Sequence, residues 1–284
     1  MVPDRYTIRP MSRAELGTAM QWAAAEGWNP GLFDGDCFHA ADPEGFLMGF
    51  LGDEPIGSIS AVRYDPGFGF IGLYIVRPAW RGQGYGLPLW QAALNHLQGR
   101  TIGLDGVLAQ QANYARSGFH LAHRNIRYGG QGGGRSLVDS PNLVPLVTQP
   151  FDWLLHYDRR FYPAERAEFL QSWISQPDSH AVAQVSEEQL TGYGLLRPCQ
   201  TGYKIGPLFA DTPAVAAEIL AALVAKVPSG GRFYLDVPDC NGAAVALAEK
   251  YGMEPVFETA RMYAGETPNL PLQQIFGITT FELG

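Results

Sequence analysis

Apolar and polar positions along the chain alternate between a strand period and a helix period. Residues 5–9 read as a short strand, and Ser12-Arg13-Ala14-Glu15 has the S-x-x-E form of a capping box, which predicts a helix running to about Ala25. Trp28-Asn29-Pro30-Gly31, followed by Asp34 and Asp36, is turn chemistry and predicts a loop carrying one aromatic ring and two carboxylates. Gly45–Leu51, Ile56–Tyr64 and Phe68–Val76 are strand-like, with Gly52-Asp53-Glu54-Pro55 and Asp65-Pro66-Gly67 as tight turns between them, so an antiparallel meander is expected. Trp90, Ala93, Leu94 and Leu97 recur at helical spacing. Thr101–Leu104 reads as a short buried strand, Gln110–Ser117 as a brief helix ended by Gly118, and Phe119–Tyr128 as another strand.

Gly129-Gly130-Gln131-Gly132-Gly133-Gly134 has five glycines in six residues and predicts a linker. Beyond it the order repeats: a helix over Pro163–Trp173, strands near His180–Gln184, Gly192–Leu196 and Tyr203–Phe209, then a helix opening at Thr212-Pro213 with Thr as N-cap and Pro in the first turn. Tyr234-Leu235-Asp236, Asn241 and Gly252-Met253 mirror Gly103-Leu104-Asp105, Asn113 and Gly118-Phe119 at offsets of 131, 128 and 134 residues. This is a diverged duplication of one α/β unit. The expected organisation is a first domain over 1–130, a Gly-rich linker over 131–150 and a second domain over 151–284. The alternation of Ile275–Glu282 predicts one more strand, bridging the two.

Composition narrows the function. With 284 residues, 46% hydrophobic and 17% charged, the chain can bury a sizeable core. A formal charge of −8 argues against nucleic acid or an anionic membrane as partner and favours a cationic ligand. Cys37, Cys199 and Cys240 form no Cys-x-x-Cys pair, and the six histidines show no metal-ligand spacing, so neither a disulfide framework nor a metal is expected. Met1–Arg5 lacks the start of a signal peptide and no apolar run approaches the roughly 18 to 20 residues of a membrane span, which places the protein in the cytoplasm.

The most specific local signal is Val76-Arg77-Pro78-Ala79-Trp80-Arg81-Gly82-Gln83-Gly84-Tyr85-Gly86, between a predicted strand and a predicted helix. Glycines at every second position let backbone approach a ligand, and the helix start offers unpaired N–H groups and a positive dipole end. A pyrophosphate site is the natural reading. A Walker A loop fails because Gly86 precedes Leu87-Pro88 rather than Lys-Ser/Thr. A dinucleotide fingerprint is nearer, with Asp105 at a strand end, but its third glycine falls on Leu87.

These residues resemble the GNAT superfamily of acetyl-CoA-dependent N-acyltransferases, whose Val-x-Pro-x-x-Arg-Gly-x-Gly-x-Gly motif is matched at Val76, Pro78, Arg81, Gly82, Gly84 and Gly86. Asn113, Tyr114 and Gly118-Phe119 fit the family's later spacing, and the chain is similar to a bacterial subfamily with a degenerate C-terminal GNAT-like domain. The resemblance implies a tandem α/β fold, each half a mixed, mostly antiparallel twisted sheet flanked by helices. It implies acetyl-CoA as co-substrate, with the pyrophosphate on the amides of Arg81, Gly82, Gln83, Gly84, Tyr85 and Gly86 and the pantetheine arm beside Ile75 and Val76. The thioester carbonyl would meet a backbone N–H near Tyr74 or Ile75, Tyr114 would protonate the departing thiolate, and Asn113 would order the cofactor or the helix start.

The family's usual Glu on the fourth strand is replaced by Gly72 and Leu73, so the general base is unassigned, with Asp34, Asp36 and Asp105 as candidates. In the second half Gly206-Pro207-Leu208-Phe209-Ala210-Asp211-Thr212 stands in place of the phosphate loop, and Ala248 in place of Tyr114. That half is expected to have lost the cofactor site and to wall off an acceptor pocket faced by Trp28, Asp34 and Asp36. The expected reaction moves an acetyl group to a primary amine of a small molecule or peptide by direct attack. A non-catalytic acyl-CoA-binding module and a dinucleotide-binding protein remain as alternatives, and the oligomeric state is open.

Overall fold

The computed structural model describes residues 6–133 and 142–284. The expectations for Met1–Arg5, and for Gly134 and the part of the linker up to residue 141, lie outside the described residues. The first half comprises β1 (Tyr6–Pro10), α1 (Arg13–Ala25), α2 (Asp34–Ala41), β2 (Phe46–Leu51), β3 (Glu54–Arg63), β4 (Phe68–Val76), α3 (Gly86–His96), β5 (Thr101–Val107), α4 (Gln111–Arg116) and β6 (His120–Gln131). The second repeats the plan with β7 (Leu143–Pro145), α5 (Phe151–Asp158), α6 (Ala167–Trp173), β8 (His180–Ser186), β9 (Gln189–Pro198), β10 (Tyr203–Ala210), α7 (Pro213–Val224), β11 (Arg232–Pro238), α8 (Gly242–Lys250) and β12 (Glu254–Ala264). A final short strand, β13 (Ile275–Gly277), follows. No helix among the described residues is long and apolar enough to cross a membrane.

Local chemistry accounts for several boundaries. The Ser12 hydroxyl accepts from the Glu15 amide while the Glu15 carboxylate accepts from the Ser12 amide, closing the capping box that starts α1. Thr212 caps α7 with Pro213 in its first turn, and the Asn241 side chain caps α8.

The strands form one sheet in the order β1-β2-β3-β4-β5-β12-β6-β11-β10-β9-β8-β7, with β13 added against β10. Pairing is antiparallel except at β4/β5 and β10/β11. The halves therefore exchange their last strands: β12 completes the first sheet beside β5, and β6 completes the second beside β11. On one face α3 buries Leu89, Trp90 and Ala93, with Leu97 just after it, against Ile59, Ile71 and Leu104, while α7 and α8 cover the second half. The other face carries a core common to both halves, in which Phe38 of α2 stacks on Trp173 of α6 at 6.3 Å and the segment after β13 packs with Phe281 and Leu283.

Four expectations need correction. The glycine run is not a linker up to Gln131: Gly129 and Gly130 lie in β6 and pair with β11 and β12. They are glycines because the space is taken. A Cβ on Gly130 would lie 2.9 Å from both Phe233 and Met253, and one on Gly129 3.3 Å from Val256. Asp34 and Asp36 belong to helix α2 rather than a loop. The helix expected over Pro163–Trp173 begins only at Ala167, because a buried bidentate pair of Arg166 with Asp158 (2.8 Å for each bond) holds the turn that separates α5 from α6. The tail is a strand only over Ile275–Gly277.

Candidate active site

β4 and β5 pair in parallel from Phe68–Thr101 to Ile71–Leu104 and then part. Beyond that point β4 bulges: its pairing with β3 shifts between Ser60–Gly72 and Ser58–Ile75, and Leu73 adopts a φ of +45°. The Ser58 hydroxyl donates to the Leu73 carbonyl at 2.8 Å, which fixes the bulge. The fork between the strands is a cleft of about 340 Å³. Gly72 to Val76 form one wall and Asp105 to Val107 the other, with Trp90, Gln110 and Tyr114 behind them. The second half contributes Phe257 and Thr259 from β12 and Phe281 and Glu282 from the tail, while Glu26, Trp28 and Arg81 stand at the mouth.

The equivalent fork of the second half is filled. β10 and β11 pair in parallel only over Tyr203–Ile205 and Phe233–Leu235, and β13 then enters between them, Gly277 opposite Leu208 and Ile275 opposite Phe209. The Ile278 amide donates to the Asp236 carbonyl at 2.9 Å, and the Asn241 side-chain amide donates to the Ile275 carbonyl at 2.9 Å. At the loop after β10, Asp211 is ion-paired with Arg160 at 3.0 Å and accepts from the Tyr157 hydroxyl at 3.0 Å.

Beyond the mouth of the open fork the glycine loop leads into α3. Gly82 and Gly84 have φ of +74° and +90°, conformations that favour glycine. The helix start has no side-chain cap and no acid in its first turn, so its N–H groups and positive dipole end are free of an internal anion. Gly86 permits close packing, since a Cβ there would lie 2.6 Å from the Tyr74 hydroxyl. Arg81 donates from Nε to the Val76 carbonyl at 2.7 Å and is ion-paired with Glu26. Gln83 donates to the Ala79 carbonyl at 2.9 Å, and the Tyr85 ring packs edge-on against Trp80 at 5.8 Å, leaving only its backbone for a ligand.

Tyr114 lies in the cleft wall, 5.4 Å between ring centroids from Trp90, which in turn is 5.6 Å from Tyr74. Its ring occupies the space beside Gly106, where a Cβ would fall 2.3 Å away. Burial, reinforced by Tyr74, pushes its hydroxyl up to about 12, so it carries its proton throughout the neutral range. Burial likewise raises Tyr74 to about 12.

Tyr74, Ile75, Val76, Arg81, Tyr114 and Trp28 thus converge on one cleft. Asn113 does not line it; on the outer side of α4 it donates to Gln110 at 2.5 Å and accepts from Arg116 at 3.0 Å. Asp34 is fully buried and clamped by Arg197 at 2.7 and 3.2 Å, and Asp36 pairs with Arg13 on the surface, so neither faces the acceptor end. Asp105 does line the cleft, but Arg261 (2.9 and 2.5 Å) and Asn125 (2.8 Å) engage both of its oxygens. Phe257, Thr259, Phe281 and Glu282 had no signal in the local sequence, because strand exchange and the path of the tail bring them in.

Comparisons with known proteins agree with this geometry. Residues 13–120 match the acetyltransferase (GNAT) family model and residues 154–277 a second acetyltransferase (GNAT) domain model. The holothin acyltransferase of a Pseudoalteromonas species is 34% identical over 280 residues, covering 98% of this chain and 95% of that protein. An acetyltransferase-type structure from Pyrococcus horikoshii superposes with a TM-score of 0.84 at 23% identity, over 100% of this chain and 98% of that one. A tandem GNAT protein from the clavulanic acid pathway superposes with a TM-score of 0.61 at 14% identity, over 93% and 100% of the two chains. With two matching domain models and a relative similar over nearly its whole length, the chain is a tandem-domain acyltransferase that belongs to the GNAT superfamily.

Proposed function

We propose that the first half transfers an acetyl group from acetyl-CoA to a primary amine, and that the second half supports that site without binding a cofactor of its own. The observation that carries this reading is the contrast between the forks: the one beside the glycine loop is an open cleft, and its counterpart is filled by β13. An extended segment lying along β10 in the second half models how an extended pantetheine arm fits beside β4.

The amides from Arg81 to Gly86 and the N-terminus of α3 hold the pyrophosphate, with Gly82 and Gly84 supplying the left-handed backbone. A backbone N–H at Tyr74 or Ile75, beside the bulge, stabilises charge developing on the carbonyl oxygen. Tyr114, protonated because it is buried, donates its proton to the departing sulfur. The acceptor enters at the end walled by Trp28, Phe257 and Phe281. Holothin, the acceptor in the relative's name, is the first compound to test, beside polyamines and a peptide amine.

A thermal-unfolding titration tests the donor. A ligand at about 100 times its Kd adds roughly 2.7 kcal/mol to the native state, which moves the midpoint by several degrees. Acetyl-CoA should raise it and NAD(H) and ATP should not; a shift with NAD(H) alone would replace the reading with dinucleotide binding.

A further inference from the structure

Of the three acids that line the cleft, Glu282 alone has a buried oxygen without a hydrogen-bond partner. Glu26 is held by Arg81 at the mouth, and Asp105 is saturated by Arg261 and Asn125. Glu282 is 2% exposed; its Oε2 accepts from the Thr280 hydroxyl and its Oε1 has no partner. Leaving a buried carboxylate oxygen unmatched is costly, so such a group marks a place where a proton donor enters. Two further polar atoms at this end are also unmatched: the Thr259 hydroxyl, in the cleft wall, and the Ser60 hydroxyl, on the residue paired with Gly72.

The position of the tail explains why β4 carries no acid. A Cβ at Gly72 would lie 2.0 Å from the Glu282 carbonyl oxygen, so the tail backbone occupies the space a side chain on β4 would fill. The tail brings Glu282 into the lining of the fork instead.

We propose that Glu282 is the proton acceptor for the attacking amine, acting through a water bound at Oε1. This rests on the acetyl-transfer reading above. The amine nitrogen forms its bond to the acyl carbon as its proton passes through the water to Glu282; the C–S bond breaks, and the sulfur takes the proton of Tyr114. The proton on Glu282 then returns through solvent to Tyr114, restoring both groups. The charged groups around Glu282 are Arg127, Arg197 and Lys204, on β6, β9 and β10. Asp236 pairs with Arg127 and Asp34 with Arg197, while the Lys204 ammonium donates to the Trp28 carbonyl at 3.2 Å.

The test measures thiol release from acetyl-CoA between pH 6 and 9, with the best amine among holothin, spermidine and a lysine-containing peptide, for wild type, Glu282→Gln, Thr280→Val and Lys204→Met. Glu282→Gln should lower kcat by about 100-fold or more across this range and keep the thermal shift produced by acetyl-CoA. Thr280→Val, which keeps the carboxylate but frees it, should lower kcat by about tenfold or more with the donor KM unchanged; it serves as the test should the Gln variant fail to fold. A Glu282→Gln or Thr280→Val enzyme within threefold of wild type would overturn the assignment. So would a rise of rate that persists in Glu282→Gln and vanishes in Lys204→Met. No turnover by a wild-type enzyme that still binds acetyl-CoA would overturn the assignment, whereas loss of the acetyl-CoA shift in the wild type would overturn the underlying reading itself.

Discussion

Arg261, on the last strand of the second half, holds Asp105 of the first half with bonds of 2.9 and 2.5 Å. Arg127, on the last strand of the first half, holds Asp236 of the second with bonds of 2.7 and 2.8 Å. The two pairs are the same contact made twice, each reaching across the strand exchange, and all four side chains are buried. Each acid follows the residue at which a parallel pair ends, Leu104 beside Ile71 and Leu235 beside Ile205. The ion pairs therefore brace both forks.

Removing one partner leaves a charge buried alone. Asp105→Ala should destabilise the chain by roughly 3–5 kcal/mol, and Arg261→Ala by a similar amount. The double variant should cost less than the sum of the two. Urea unfolding of the three variants measures this, and simple additivity would show that the pair is not coupled.

Tyr114→Phe should lower kcat by roughly 10²- to 10⁴-fold while leaving acetyl-CoA affinity nearly unchanged. The form required is the protonated one, and burial has moved its titration upward to about 12. Tyr114 should therefore produce no fall of rate below about pH 10. A pH–rate profile of the wild type checks this, and a rate unchanged in Tyr114→Phe would remove the residue from the mechanism.

Lys204 gives a prediction about stability. It is 3% exposed, and burial, then Arg127, bring its ammonium down to about 8. An unfolded lysine titrates near about 10.4, so between these values the folded chain holds fewer protons than the unfolded one. Stability should rise as pH increases through that window. Lys204→Met should be more stable than wild type at pH 7, by up to about 3 kcal/mol, with the advantage shrinking towards pH 10. Unfolding at pH 7 and pH 10 separates this from a pH-independent packing effect.

The bulge glycines offer a structural control on the tail. A Cβ on Gly206 would lie 2.4 Å from the Thr279 carbonyl oxygen, much as one on Gly72 would meet that of Glu282. Gly72→Ala should displace the tail from the open fork, lowering the thermal midpoint by several degrees and kcat with it, while acetyl-CoA still binds. A variant with wild-type kcat and midpoint would show that the tail does not depend on this contact.

Elements governed by nearby residues were legible in the chain itself. The capping box at Ser12 and Glu15, the Thr212-Pro213 helix start and the tight turns that separate β2, β3 and β4 all act within a few residues, and each led to the right element. The duplication was legible for the same reason, through Asp105 and Asp236 at equivalent strand ends. Features set by distant partners were not. Gly129 and Gly130 look like a linker until Phe233 and Met253 are seen beside them, and Asp34 looks like a loop acid until Arg197 is found on it. In the site, the glycine loop stood out in the sequence and Tyr114 was singled out through the family resemblance, whereas Glu282 lies 210 residues after Gly72 and only the folded tail brings them together.

A chain with two copies of the fold should have one acyl-CoA site, at the fork beside the glycine loop. Calorimetric titration with acetyl-CoA decides this, on the wild type and on Gly84→Asp, which places a side chain and a negative charge on a residue with φ of +90° next to the helix start. One acetyl-CoA per chain is expected in the wild type and none in Gly84→Asp. Two per chain, or binding that survives the substitution, would show that the donor is held somewhere other than this fork alone.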